Sequence, residues 1–205
     1  KTKKPLIIAT GASTLNEVKK IYDKVIKINS NICIMQCNTN YTGSSKNFKF
    51  INLNVLKTYK RKFPKAILGL SDHTKGHETV LGAISLGARI IEKHFTDDNK
   101  RIGPDHEFSM NPKTWEQMIK FSRNLENSLG TSIKKVEANE RETVVLQRRA
   151  IRLNKDIKKN EIIQKKDLSV LRPCPKDALP IYEIDKIIGK KSKRNFKTGE
   201  YIKKR

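Results

Sequence analysis

Two histidines stand at the ends of two apolar runs, each close to a carboxylate. His73 lies in GLSDHT and His94 follows 21 positions later in IIEKHFT. Side chains alternate between the two faces of a β-strand, so Ser71 shares a face with His73, and Glu92 shares one with His94. If the two strands are neighbours, both imidazoles converge beside a carboxylate. Such a set of nitrogen and oxygen donors suits Mn, Fe or Zn better than Ca or Mg.

Other interpretations of these residues stay open. Strand-end histidines that are hydrogen-bonded in a polar rim, without a metal, would show the same spacing. A hydrolase triad of Ser71, Asp72 and His73 is disfavoured, because adjacent strand residues diverge and nothing places the acid behind the imidazole. We expect His77 and His106 to be solvated. The three cysteines lack C-x-x-C spacing, which argues against a zinc knuckle or a disulfide framework.

Composition limits the classes of protein that fit. The chain has 205 residues, of which 36% are hydrophobic, enough for a real core. Its formal charge is +23, yet the lysines are scattered through every segment. Nucleic acid is therefore not expected as a partner, whereas anionic small substrates would gain from the field. With no run of eighteen apolar residues and no signal-peptide pattern, we expect no membrane span and assign the protein to the cytoplasm.

Four short apolar runs predict parallel strands that are covered on both faces. They are Leu6 to Ala9, Ile32 to Gln36, Ala66 to Leu70 and Ala88 to Glu92. Between them, Thr14 and Glu17 predict the capped start of a helix, and a last helix is predicted from Asn111-Pro112 to Gly130. Repeated βα units imply a parallel sheet. Polar loops after the strand ends favour half of an eight-unit barrel, although an open sheet also binds ligands there.

The remainder of the chain predicts a second, smaller domain. Residues 131–147 are polar, carry mixed charge and are expected to form a linker that can be partly helical. Within residues 148–205, DIKKNEII (156–163) and NFKTGEYI (195–202) share one pattern and predict a duplicated hairpin. The chain is therefore divided into a domain at 1–130, a linker and a β-rich module near the lower size limit for independent stability.

Several of these stretches together resemble one known family. IIATGAS, QCNTNY, GLSDHTKGHETVLGAISLGARIIEKHFT, GPDHEFSMNP and VLRP are similar to the C-terminal part of the N-acylneuraminate (sialic acid) synthases, over nearly all 205 residues. The resemblance implies the C-terminal half of a TIM (β/α)8 barrel, strands five to eight, at residues 1–130. It also implies a small β-clip domain of the SAF, or antifreeze-like, type at 148–205.

The resemblance also implies a reaction and a site. Phosphoenolpyruvate would condense with an N-acyl hexosamine, such as N-acetylmannosamine, to give a nine-carbon 2-keto acid and phosphate. His73 and His94 would ligate a divalent metal, usually Mn²⁺ with Mg²⁺ or Co²⁺ as alternatives, that polarises the aldehyde oxygen. Glu92 and Asp105 would be catalytic. Substrate would contact Tyr41, Ser71, Asp105 and Arg172, the last reaching sugar in the other subunit of a domain-swapped homodimer.

Three departures from the family pattern bear on these expectations. YTGSS stands where many members have a tyrosine followed by Pro-Thr-Pro, and CPKDALP replaces a glycine-rich turn after Arg172 and Pro173. The phosphate-binding lysines of the family, and its acidic residues near the metal, would lie in a first half of the barrel that this sequence lacks. We therefore expect no synthase activity from this chain alone.

Two further function classes remain open. One is a non-catalytic module that binds a sugar phosphate or a polyanion, which salt-dependent retention on DNA without an effect of Mn²⁺ would indicate. The other is a metal-dependent hydrolase, which would turn over without phosphoenolpyruvate. The sequence does not identify the acyl hexosamine, because legionaminic and pseudaminic acid synthases share these motifs.

Overall fold

The computed structural model describes residues 4–204, which divide into two compact units with a boundary in the chain between residues 131 and 132. In the first unit strands alternate with helices: β1 Leu6–Ala9, α1 Leu15–Val25, β2 Ile32–Cys37, α2 Val55–Lys62, β3 Ile67–Asp72, α3 Glu78–Ser85, β4 Ile90–Lys93 and α4 Pro112–Leu129. A 3-10 segment, Ser45–Phe50, lies between β2 and α2. Within residues 4–204 no helix is both long enough and apolar enough to cross a membrane.

The four strands form one parallel sheet in the order β1-β2-β3-β4. This sequential order confirms the predicted βα architecture, and the curled sheet with its helices is half of a barrel. All four predicted strands are present. β3 continues two residues past the predicted end, to Asp72, and β4 continues one residue further, to Lys93. These two residues are partners in the β3–β4 register, as are Ser71 and Glu92.

One face of the sheet packs against the helices and forms the main core. Ile34 on β2 and Leu70 on β3 are 1% and 0% exposed, and they cluster with Val18 of α1 and Leu56 of α2. Burying one such aliphatic side chain contributes about 1.5–3 kcal/mol. Because side chains alternate along a strand, residues 71 and 92 belong to the opposite face, away from the helices.

Both predicted helix starts are capped as the sequence indicates. The Thr14 side chain accepts from the Glu17 backbone N–H, and the Thr14 backbone N–H donates to Glu17 Oε2 at 2.7 Å. Asn111 caps α4, Pro112 occupies its first turn, and the helix ends before Gly130. The Asn111 cap therefore fixes the point at which the loop after β4 ends and α4 begins.

The second unit contains a helix and a small sheet. Its elements are α5 Arg141–Gln147, β5 Ala150–Leu153 and β6 Leu168–Leu171, with 3-10 segments at Ala138–Glu140, Lys165–Asp167 and Ile181–Lys186. Residues 131–147, expected to be a linker that can be partly helical, include α5 and the first of these 3-10 segments. The Val145 carbonyl of α5 accepts from the Cys174 backbone N–H at 2.9 Å, which ties this segment to the rest of the unit.

The duplicated segments of the second unit pair with each other. Ile157 and Phe196 exchange two backbone hydrogen bonds, at 3.0 and 2.8 Å, in an antiparallel bridge. Asn160 and Gly199, at equivalent positions of the two copies, both have left-handed φ angles, 69° and 84°. The two copies therefore have the same turn, and they enclose a core formed by Ile151, Leu153, Ile157, Ile163, Leu179 and Ile202.

Candidate active site

The two histidines meet where β3 and β4 end. His73 follows Asp72 at the end of β3, and His94 follows Lys93 at the end of β4. Their ring centres are 5.1 Å apart, with the ring planes at 69°. His73 is 4% exposed, and the side chain of His94 is 26% exposed. The predicted convergence of the imidazoles is therefore present, with one ring buried and the other open to solvent.

Each imidazole has an oxygen atom beside its Nδ1. His73 Nδ1 lies 2.8 Å from the Asn38 backbone carbonyl, which can only accept a hydrogen bond. In this hydrogen bond Nδ1 is therefore the donor, which leaves Nε2 as the ring nitrogen that could bind a metal ion. His94 Nδ1 lies 3.3 Å from Asp105 Oδ2. Metal-binding histidines commonly use one nitrogen for the ion and the other for an oxygen partner, and both rings here have the oxygen partner at Nδ1.

Aromatic side chains cover the imidazole pair. The Tyr41 ring lies 4.2 Å from His73 and 5.6 Å from His94, and the Phe108 ring lies 5.2 Å from His94. Gly43 has a φ of 63°, and a Cβ atom placed there would lie 2.6 Å from Phe108 Cβ. The YTG sequence thus lets the loop after β2 pack directly on the loop after β4.

Ser71 and Glu92 form a second contact between the same strands. Ser71 is 3% exposed, and its Oγ donates to Glu92 Oε1 at 3.1 Å. Cys37 is the partner of Ser71 in the β2–β3 register. Burial raises the pKa of the Cys37 thiol, so this cysteine stays protonated at neutral pH and is a poor nucleophile.

An ion pair on the opposite face of the sheet was not foreseen. Lys93 Nζ lies 2.6 Å from Asp72 Oδ2, and the two side chains are 1% and 0% exposed. The alternation that puts the imidazoles on one face puts residues 72 and 93 on the other, under the helices. The sequence does contain a signal for this ion pair, because residues of opposite charge stand at the ends of two neighbouring strands. Asn38 and Phe108, in contrast, contact the site through loop folding that no local pattern indicates.

The structure brings six of the seven predicted site residues into the first unit, at the ends of its strands: Tyr41, Ser71, His73, Glu92, His94 and Asp105. Arg172 lies in the second unit, where it is exposed and its Nε donates to the Gln147 carbonyl at 2.8 Å. His77 and His106, expected to be solvated, are partly buried. The His77 ring lies 4.9 Å from Phe121, and His106 Nδ1 lies 2.8 Å from Thr96 Oγ1.

The residues present fit a metal site with two protein ligands. Among residues 4–204, no group of three or more His, Cys, Asp or Glu side chains is arranged to hold a metal ion. Two imidazole ligands at about 2.1 Å from one ion have ring centres about 5 Å apart, and His73 and His94 have that separation. Such a site leaves most coordination positions to water and substrate.

Comparison with known proteins agrees with this architecture. The model of the NeuB family matches residues 1–134, and the SAF domain model matches residues 148–204. The chain is 32% identical over 206 residues to the N,N'-diacetyllegionaminic acid synthase of Campylobacter jejuni, covering 99% of the chain and 60% of that relative. It is 36% identical over 202 residues to the protein of the same name from Legionella pneumophila, covering 96% and 55%.

A solved structure is similar as well. The N-acetylneuraminic acid (sialic acid) synthetase of Leptospira borgpetersenii, in complex with citrate, matches with a TM-score of 0.61 and 29% identity. The match covers 69% of this chain and 48% of that one. The chain thus spans less than two thirds of the length of the relatives it matches.

Proposed function

The chain belongs to the NeuB family and carries a SAF domain, and from this premise we propose that it serves a synthase reaction that condenses phosphoenolpyruvate with an N-acyl hexosamine. The products would be a nine-carbon 2-keto acid and phosphate. The observation that carries the proposal is the imidazole pair, with ring centres 5.1 Å apart and an oxygen beside each Nδ1. The names of the relatives, legionaminic acid synthases, support the class of product.

His73 and His94 are the residues that would hold a divalent ion, with Mn²⁺ as the first candidate. When bound, such an ion supplies Lewis-acid polarisation of the sugar aldehyde oxygen. The Asn38 carbonyl fixes the orientation of the His73 ring, and the Asp105 carboxylate lies beside His94 Nδ1. These oxygen partners keep Nε2 of each ring available as a ligand.

The remaining residues of the site would bind and orient the two substrates. Ser71 is buried and already donates to Glu92, so its hydroxyl is held at the rim where phosphoenolpyruvate would bind. Asp105, with a side chain 46% exposed, has a carboxylate that can accept sugar hydroxyls beside His94. Tyr41 is 48% exposed over the imidazole pair and can contact the sugar.

The proposed reaction balances without a further reactant. The enol carbon of phosphoenolpyruvate forms a bond to the aldehyde carbon of the sugar, and water adds at C2. Phosphate then leaves by cleavage of the C–O bond. The two protons of the water end on the new sugar hydroxyl and on phosphate. Glu92, beside the reacting centre, is the group we assign to proton movement.

Arg172 extends the proposal to the second unit. Its guanidinium is exposed and is oriented by the hydrogen bond from Nε to the Gln147 carbonyl. We assign it to the N-acyl group of sugar bound in the other subunit of a domain-swapped dimer, because a planar guanidinium suits a planar acyl oxygen environment. Arg172→Ala should then raise KM for the sugar and leave KM for phosphoenolpyruvate unchanged.

Metal binding is the first test of the proposal. Titration of Mn²⁺ into the 205-residue chain, followed by the electron paramagnetic resonance signal of free Mn²⁺, gives the dissociation constant. His73→Ala and His94→Ala should each weaken binding by about tenfold or more. His77→Ala is the matched control, since His77 stacks on Phe121 in the same unit. Equal effects of all three substitutions, or no binding by the unaltered chain, would contradict the assignment.

The substrate class is tested separately. In phosphoenolpyruvate labelled with ¹³C at C3, formation of the new C–C bond replaces the alkene signal by that of a methylene group bonded to a CHOH carbon, which differs from the methyl signal that hydrolysis to pyruvate would give. The protein that carries this chain should give that signal with an N-acyl hexosamine and divalent metal, and should lose it on His94→Ala. Consumption of the sugar without phosphoenolpyruvate would instead indicate a hydrolase.

A further inference from the structure

A buried ion pair lies directly behind the two imidazoles. Asp72 and Lys93 are partners in the β3–β4 register, and each is followed by one of the histidines. Lys93 Nζ lies 2.6 Å from Asp72 Oδ2, with side chains that are 1% and 0% exposed. Neither residue belongs to the metal or substrate ligands assigned above, because both side chains are on the helix-facing side of the sheet.

The hydrogen bonds of this pair bracket His73. Lys93 Nζ donates to Asp72 Oδ2 at 2.6 Å and to the Thr74 carbonyl at 2.7 Å, so one ammonium group from β4 binds the residues on both sides of His73. Asp72 Oδ1 also accepts from the Thr74 backbone N–H at 3.1 Å. The turn that carries His73 is therefore fastened to the residue that precedes His94.

The carboxylate is further held by α3. Thr79 Oγ1, in the first turn of that helix, donates to Asp72 Oδ2 at 2.6 Å and lies 3.1 Å from Thr74 Oγ1. The network thus joins β3, β4 and α3. No member of it is exposed to water, since Thr74 and Thr79 are 1% and 4% exposed.

Stability by itself does not explain an ion pair at this position. A buried ion pair rarely stabilises a fold more than a well-packed apolar pair of the same volume. The neighbouring helix-facing residues Leu68, Leu70 and Ile91 are apolar and pack in the core. An apolar pair at 72 and 93 would fill the same space, but it could not bind the Thr74 carbonyl or fix the turn at His73.

We propose that Asp72 and Lys93 are positioning residues of the site: their ion pair, bonded through Thr74, sets the separation and direction of the two imidazoles. The consequence for metal binding rests on the function proposed above. The positioning role does not rest on that function, because the geometry of the imidazole pair can be measured without any metal.

The test compares the full chain with Asp72→Asn/Lys93→Met, a neutral double variant of similar shape that leaves no unpaired buried charge. Tyr59→Phe is the control, because it removes another buried hydrogen bond of the same unit, between Thr10 and Tyr59 at 2.9 Å. The readout is the nuclear Overhauser cross-peak between ring protons of the two histidines, in protein labelled with ¹⁵N-histidine. Circular dichroism reports whether each variant is folded.

The unaltered chain and Tyr59→Phe should show the cross-peak at equal intensity. The intensity falls with the sixth power of distance, so a loosening of about 1 Å at a separation near 5 Å, enough to spoil a preorganised site, lowers it about threefold. We expect that loss, or a greater one, in the folded double variant. A folded double variant with an unchanged cross-peak would overturn the inference, and so would an unaltered chain that lacks the cross-peak.

Metal binding provides a second readout. The double variant should bind Mn²⁺ about tenfold more weakly or worse, as expected when a partner that orients a ligand is lost. If the unaltered chain does not bind Mn²⁺, the metal assignment fails, while the cross-peak still decides the positioning role. If the double variant does not fold, Thr79→Val replaces it, since this change removes only the contacts of Thr79 Oγ1 with Asp72 Oδ2 and Thr74 Oγ1. An unchanged cross-peak in Thr79→Val would then refute the inference, and a reduced one would support it.

Discussion

Gly43 is the position where a single added methyl group should disturb the site most directly. Its φ of 63° is a left-handed conformation that alanine adopts at a cost, and the new Cβ would lie 2.6 Å from Phe108 Cβ and 3.1 Å from Phe108 Cγ. Phe108 is 3% exposed and its ring lies 5.2 Å from that of His94. The methyl group therefore pushes on a buried ring that has little room to move away.

The magnitude follows from two contributions. The left-handed conformation costs about 1–2 kcal/mol for a residue with a Cβ atom. Overpacking against Phe108 adds about 1–3 kcal/mol. Gly43→Ala should therefore lower the free energy of unfolding by about 2–5 kcal/mol. Gly87→Ala is the control: Gly87 has a φ of 100°, and a Cβ atom there would meet nothing within 4 Å. Gly87→Ala should therefore show the cost of the positive φ angle without the cost of a steric clash.

Urea unfolding followed by circular dichroism measures both variants, and the difference between them isolates the steric contribution. The ring-proton shifts of His94 should move in Gly43→Ala and stay in place in Gly87→Ala, because only the first change displaces Phe108. If Gly43→Ala costs no more than Gly87→Ala, the two loops do not pack as described.

Three further predictions concern other parts of the chain. Burial raises the pKa of Cys33 to about 11, so a thiol reagent at pH 8 should label only Cys174 in the folded protein and all three cysteines in urea. A hydrogen bond from Lys197 is the main reason that the pKa of Asp156 falls to about 2 from 3.8, so this carboxylate contributes stability above pH 3.8 that is lost as the pH falls toward 2. Lys197→Met should raise the pKa of Asp156 toward 3.8 in a nuclear magnetic resonance titration, and an unchanged pKa would contradict that cause. Thr14→Ala should lower the free energy of unfolding by about 1 kcal/mol through loss of the cap of α1, which urea unfolding can measure.

The sequence was sufficient to predict the four strands and the faces on which Ser71, His73, Glu92 and His94 lie, because both follow from local periodicity. The meeting of the histidines was predicted only on the condition that their strands are neighbours, and β3 and β4 are neighbours in the sheet. The sequence was less accurate about where strands end. The apolar run of β3 predicts a strand that ends at Leu70, whereas the ladder continues through Ser71 and Asp72. An apolar sequence pattern ends at the first polar residue, but the strand itself continues when a residue of the neighbouring strand pairs with that polar residue. Lys93 supplies that partner to Asp72.

For the polar segment before the second domain, the sequence predicts a partly helical linker but gives no bounds for the helix. Residues 131–147 have no marked apolar period, yet they contain α5. A helix of seven residues is too short to be stable by propensity alone. Here the Val145 carbonyl accepts from Cys174 and the Gln147 carbonyl from Arg172. Those partners lie more than twenty residues away, and no local pattern in the sequence shows that they will be adjacent.

The alternation of side chains along β4 has a consequence for changes of chain length. An in-frame deletion of one residue between Ile90 and Lys93 would move the side chains that follow it to the opposite face of the sheet. The ammonium group would then project from the face of the sheet that carries the two imidazoles, and the imidazole would be forced under the helix layer beside a carboxylate without its counter-ion. Substitutions at Ile91 should therefore be tolerated far better than any one-residue indel in this strand, and a two-residue indel should do less damage than a one-residue indel.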